Sequence, residues 1–221
     1  DLVAHHLNYV RQDVFSWDKL SVPVDYPAQF SNPAWPFART GPGAAVDGRP
    51  KFDLTKFDQS YFDERIKPFL KQAARHNIYV ELTLFEGLRS RGFAESLYCD
   101  DNNINALRLT CDVVTSDEAL RNPRLMAIQY AYVDKVLAET AEFGNVIYEI
   151  ANETGGKHWV EHFVDYIHDH PTYPSDLVSA GEQTTAFDPV KGKNDIIAKH
   201  RGGGGLYATD TDVWNHHNAM L

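Results

Sequence analysis

Positive charge is in short supply. The chain has 21 Lys and Arg against 31 Asp and Glu, a net charge of −10, and no block of basic residues gathers them into a patch. A nucleic-acid partner needs a basic footprint on the protein, so nucleic acid is not an expected partner. Long apolar runs are missing as well. None approaches the roughly 20 residues that span a bilayer, so no membrane role is expected. Cysteine is nearly absent: Cys99 and Cys111 alone, in one polar loop-like region. Their spacing matches no zinc signature and no second pair exists, so no metal is expected there. A disulfide and two free thiols both fit. The opening "DLVAHHLNYV" lacks a basic stretch followed by an apolar one and does not read as a signal peptide. A leader already cleaved, or lying upstream, is equally compatible with it.

What is present is ordinary for a globular chain of 221 residues, with 43% hydrophobic and 24% charged side chains. Signals of strand and helix alternate. "LNYVRQDVF" (7–15) reads as a strand, and a Pro- and Gly-punctuated loop runs from about 16 to 57. In 58–76, Phe62, Ile66, Phe69, Leu70 and Ala73 recur at helical spacing, with Asp58 as N-cap and Pro68 as a kink or break. "NIYVELTLF" (77–85) is a strand, and a second long loop covers about 86–121. Asn122 and Pro123 then open a helix that Gly144 closes. "GNVIYEIANET" (144–154) follows as a buried-looking strand carrying Glu149 in its middle and an Asn-Glu pair at its end. A shorter helix at about 158–169 and strands at 176–183 and 205–214 complete the pattern of parallel βα units. The Gly202–Gly205 run lacks the Lys-Ser/Thr of a phosphate loop.

In parallel α/β folds chemistry gathers at the carboxyl ends of the strands. Here that means Arg11 to Asp13, Phe85 and Glu86, Asn152 and Glu153, Glu182 and Gln183, and Trp214 to Asn218. Strand alternation puts Glu149, Ala151 and Glu153 on one side of their strand. A buried Glu149 needs a cationic or hydrogen-bonding partner, and it is expected to be structural. Trp17, Trp35 and Phe37, in loop-like sequence, are either stacking platforms for a flat ligand or rings that cap the core. His5, His6, His168 and His170 are not expected to bind metal, because the latter two cannot share a helical face.

"NVIYEIANE" resembles the fourth strand of the clan A glycoside hydrolases, the cellulase-like (β/α)8 enzymes. "QYAYVDKVLAETAEFG", "FDLTKFDQSYFDERIKPFLKQAARHNIYVELTLF" and "LNYVR" resemble their third helix, second helix with third strand, and second strand. The resemblance covers most of residues 7–182. It implies a partial TIM barrel, roughly strands two to six, with long loops after strands two and three, and a single incomplete barrel domain over 1–221. It implies a retaining O-glycoside hydrolase acting on a poly- or oligosaccharide, with no cofactor. Glu153 would be the general acid/base, Asn152 would bind the sugar 2-hydroxyl, and Arg11 would lie beneath the nucleophile and keep it ionised. Trp17, Trp35, Trp214, His216 and His217 would contact substrate.

The family's nucleophile is a Glu ending strand seven. Only 68 residues follow Glu153, against roughly 90 for three more units of ~30 residues. The expectation is therefore that the nucleophile lies beyond Leu221 and that the 221 residues alone are inactive. Glu182, in "AGEQTT", reads as a solvated turn instead. A catalytically inactive carbohydrate-binding barrel is the alternative. Phe85 stands where many members have histidine and Thr154 where they have proline, which points to a side branch. The substrate class implies a secreted or periplasmic setting.

Overall fold

The computed structural model describes residues 2–14, 35–86, 96–152, 154–175 and 177–180. In chain order its elements are β1 (Tyr9–Asp13), β2 (Phe37–Ala38), β3 (Asp53–Phe57), α1 (Gln59–Tyr61), a π-helical turn (Phe62–Ile66), α2 (Lys67–Arg75), β4 (Tyr79–Glu86), α3 (Pro123–Thr140), β5 (Val146–Asn152), α4 (Lys157–His168) and β6 (Val178–Ser179). The main sheet runs β1-β4-β5-β6, every neighbouring pair parallel. The fold is mixed α/β with a mostly parallel sheet. The strand predicted at 205–214 lies outside the described residues.

Burial orders this sheet. All seven residues of β5 are buried, while β1 at one edge is mostly exposed. On one face Val80, Leu82, Leu84, Tyr148 and Ile150 are buried, and the Tyr148 hydroxyl bonds Thr140 of α3 at 2.7 Å. Alternate residues therefore serve the helix layer. Phe85 belongs to the alternate series with Glu81 and Thr83, yet its ring meets Tyr132 of α3 and Trp159 and Phe163 of α4 at centroid distances of 5.5, 4.8 and 5.5 Å. Burying side chains of this size contributes roughly 1.5–3 kcal/mol each. Phe85 thus packs in the core, at the position where the resemblance has histidine.

The helix over 58–76 forms with a local change of pitch. Asp58 caps it, accepting from the Ser60 N–H at 3.1 Å. Pro68 would drive its ring into the Glu64 carbonyl of a regular α-helix. The chain instead widens into the π turn, where the Lys67 N–H reaches back to Phe62 O. Asn122 caps α3 as predicted, accepting from Leu125 N–H at 3.0 Å. Gly144 does not terminate it. The helix ends at Thr140, whose carbonyl takes the Phe143 N–H at 3.0 Å, and that turn leaves Gly144 with no left-handed role.

The loop expected over 16–57 contains a small antiparallel pair, β2 with β3. Two-residue β2 is too short for a periodic signal, and its hairpin is held by side chains. Arg39 grips Asp47 through two bonds of 3.1 and 2.7 Å and lies over the Phe52 ring at 4.0 Å. The loop after β4 packs on this pair: Phe52 donates to Asn102 O, Ile104 donates to Phe52 O, and Leu54 donates to Asn105 Oδ1. A Cys99–Cys111 disulfide closes that loop. Breaking it by Cys99→Ser with Cys111→Ser is expected to lower stability by about 3 kcal/mol, the closure entropy of a loop this size. Urea unfolding of the oxidised protein beside the double variant measures the difference. Equal midpoints would mean that polar contacts alone hold the loop.

Candidate functional site

The face of the sheet opposite the helices carries polar residues. The strand register sets Asp13, Thr83, Glu149 and Ser179 side by side, one row across four strands. One step toward the amino ends, Arg11 is paired with Glu81. Arg11 does not bond its register neighbour. Its guanidinium crosses β4 to Glu149 on β5, Nε to Oε2 at 2.6 Å and Nη2 to Oε1 at 2.5 Å. Neighbouring strands lie about 4.8 Å apart, so the side chain covers two strand spacings. Thr83 Oγ1 adds a third bond to Glu149 Oε2, at 2.5 Å. Burial pushes the Glu149 carboxyl above its ordinary range, and Arg11 and Thr83 oppose that push. The partner that a buried Glu149 requires is thus a bidentate guanidinium with a hydroxyl beside it.

Among the described residues no such cation reaches Glu81. It is 3% exposed, and its Oε1 has no hydrogen-bond partner. Burial and the neighbouring Glu149 charge raise its carboxyl to about 7, against a bond to Ser179. Two carboxyls therefore share this face of the sheet, one ion-paired and one inclined to keep its proton.

The carboxyl rim lies above this row. Asn152 ends β5 at 9% exposure, opposite Glu86. Beyond it, Thr154 is bonded to Thr115, oxygen to oxygen at 2.6 Å. Gly155 takes φ of +110°, a conformation that favours glycine. Gly156 opens α4 without a side chain to cap it, and Asp117 caps in its place: Oδ1 accepts the Trp159 N–H at 3.0 Å and Oδ2 meets His158 Nδ1 at 2.7 Å. Burial works to raise the Asp117 carboxyl, but those bonds together hold it below its ordinary value.

Of the residues singled out by sequence, the structure places Arg11 and Asn152 on one sheet, on strands separated by β4 but at different levels: Arg11 is level with Glu81 and Ile147, toward the amino end of β5, and Asn152 ends β5 at its carboxyl end. Glu153, Trp17, Glu182, Trp214, His216 and His217 lie outside the described residues. Trp35 is 6% exposed and meets Phe52 edge-on at 5.7 Å, while Phe37 is 1% exposed and stacks on Phe57 at 5.3 Å. Both rings sit in the core, one of the two roles their sequence left open. His170 is a turn residue whose Nδ1 accepts the Tyr173 N–H at 2.9 Å. Sequence reasoning missed Glu81, Thr83, Thr115 and Asp117. The first two had a signal: in "YVELTLF" a polar series, Glu81 and Thr83, alternates with Val80, Leu82 and Leu84, the mark of a strand with one apolar and one polar face.

Two predictions follow from the buried charges. Arg11→Met strands the Glu149 charge and is expected to cost about 2–4 kcal/mol, below the value for a fully buried pair because the arginine side chain is 36% exposed. Adding Glu149→Gln should recover much of that loss in denaturant titrations. Glu81 titrates near 4.5 unfolded and about 7 folded. The folded state thus binds the extra proton between those values, and stability falls as pH rises through that window. Glu81→Gln removes this slope, so by pH 8 the variant should be the more stable by up to about 3 kcal/mol. Parallel stability curves for the two proteins from pH 4.5 to 8 would show that Glu81 titrates normally.

Among solved structures the chain is similar to a candidate glycoside hydrolase from Bacteroides vulgatus, at 18% identity and a TM-score of 0.53. The match covers 86% of this chain and 32% of that one, so the chain spans about a third of that protein's length. At this identity the likeness is one of fold. No curated protein matches the sequence. A family described as a domain of unknown function, DUF6298, matches residues 28–185. The chain, with its parallel sheet and its half-buried arginine–glutamate pair, belongs to the DUF6298 family.

Proposed function

We propose that residues 1–221 belong to one (β/α)8 barrel domain of a retaining glycoside hydrolase that acts on a poly- or oligosaccharide. In this reading β1, β4, β5 and β6 are the second to fifth strands of the barrel. The observation that carries it is the end of β5. There a fully buried strand in the middle of a parallel sheet delivers Asn152 to the carboxyl rim with Glu153 next in the chain. A proton donor there stands where parallel α/β folds place their chemistry. The similarity in fold to a candidate glycoside hydrolase supports the same class.

The chemistry divides between two carboxyls. Glu153 hands a proton to the leaving glycosidic oxygen and then takes one from the attacking water. A second, ionised carboxylate about 5–5.5 Å away attacks the anomeric carbon, and it is expected from a later strand of the barrel. Asn152 hydrogen-bonds the 2-hydroxyl as charge develops, without adding charge of its own. Arg11 lies on the face that carries Glu149, toward the amino ends of the strands. A guanidinium has five N–H donors, two of which serve Glu149, and its charge favours an ionised carboxylate above it. Trp17, Trp214, His216 and His217 are the proposed sugar contacts; Trp35, first expected among them, has its ring buried against Phe52.

The test is Glu153→Gln in the full-length natural protein. Hydrolysis of natural glycosides should fall by about 10²- to 10⁴-fold. An unchanged rate overturns the acid/base assignment. A full-length protein that binds the sugar and never cleaves it is the inactive binding barrel.

A further inference from the structure

The loop after β4 returns to the chain at the point that matters most for the reading above. Within three residues, Thr115 to Asp117, it makes two hydrogen bonds to the turn that leaves β5 and two to the first turn of α4. Thr115 O accepts the Gly156 N–H at 2.7 Å, and Thr115 Oγ1 pairs with Thr154 Oγ1 at 2.6 Å. Asp117 adds its bonds to the Trp159 N–H and to His158. The two backbones are pressed together: a Cβ built on Gly156 would lie 2.4 Å from the Asp117 nitrogen. We propose that Thr115 and Asp117 are positioning residues, a brace that fixes Thr154 and Gly156 and so sets how the chain leaves β5 after Asn152.

The brace is itself anchored, so it can hold something else still. Gln129 of α3, fully buried, donates from Nε2 to Val114 O at 2.7 Å and accepts from Trp159 Nε1 at 3.1 Å. One amide therefore ties the loop to α3 on one side and α4 to α3 on the other. Four residues before Thr115, the Cys111 disulfide ties the same segment to Cys99. Thr115 is buried, so water competes weakly for its hydroxyl. Thr154 occupies the position where the resembled enzymes have proline, which stiffens a turn through its ring. Here a hydroxyl bond across the turn does that work.

The inference rests on the acid/base reading of Glu153, whose two chain neighbours this brace and β5 hold. A misplaced proton donor has a selective signature. Glycosides with a poor leaving group need protonation, whereas dinitrophenyl glycosides depart without it. In the full-length natural protein, Thr115→Val removes the hydroxyl and keeps the β-branch. It is expected to lose about tenfold in kcat/KM on oligosaccharide or alkyl glycosides and less than twofold on dinitrophenyl glycosides. Thr154→Val should behave alike from the other side of the bond, and Thr115→Ser should restore the wild-type ratio. An equal loss on both substrate types, or no loss on either, overturns the brace while leaving the glycosidase reading intact. Wild-type protein that hydrolyses neither type overturns both.

Discussion

A carboxylate in the middle of a fully buried strand constrains everything around it. Glu149 costs stability unless a cation and a donor reach it, and only a particular sheet brings them. Arg11 must enter from two strands away, so β4 has to lie between β1 and β5 and present a side chain the guanidinium can pass. Thr83 must sit directly opposite Glu149, so the register between β4 and β5 cannot slip by one residue without turning the hydroxyl to the helix layer. The ion pair is weak as a source of net stability, because desolvation offsets most of the attraction. Its effect is on specificity: it penalises other strand orders and other registers.

Around that constraint the two faces of the sheet do different things. The helix side is a continuous apolar core, with Phe85, Tyr132, Trp159 and Phe163 interlocked at ring distances below 6 Å. The other side stores polar groups in a sequence of environments. Glu149 is saturated with partners, Glu81 is short of them, and the rim above is reached through Asn152. Those different surroundings let two acidic side chains on one surface hold different protonation states.

Much of this was legible in the chain itself. The strands at 9–13, 79–86 and 146–152 and the helices capped by Asp58 and Asn122 announce themselves through periodicity and cap chemistry, and both survive in the structure because local rules dominate there. The demand of Glu149 for a partner was legible too, but its identity was not. Arg11 is 138 residues away, and the pairing depends on strand order, which no local pattern encodes. The same is true of Thr115 and Asp117, which lie in a loop with no periodicity and act on a turn some 40 residues later. β2 escaped notice for a simpler reason: its two residues, in a hairpin held by Arg39 and Asp47, leave no alternation to read.

The contact between Gly156 and Asp117 has an evolutionary corollary. A side chain at 156 would meet both the Asp117 carboxyl, Oδ1 at 2.3 Å, and the Asp117 backbone nitrogen at 2.4 Å, and the nitrogen stays whatever residue replaces Asp117. Compensating point changes are closed off. The glycine can be lost only if the loop changes length and takes another route, which would also remove the cap on α4. Lineages of this domain should therefore divide into those that keep both the glycine and the loop length, and those that have rebuilt the whole crossing.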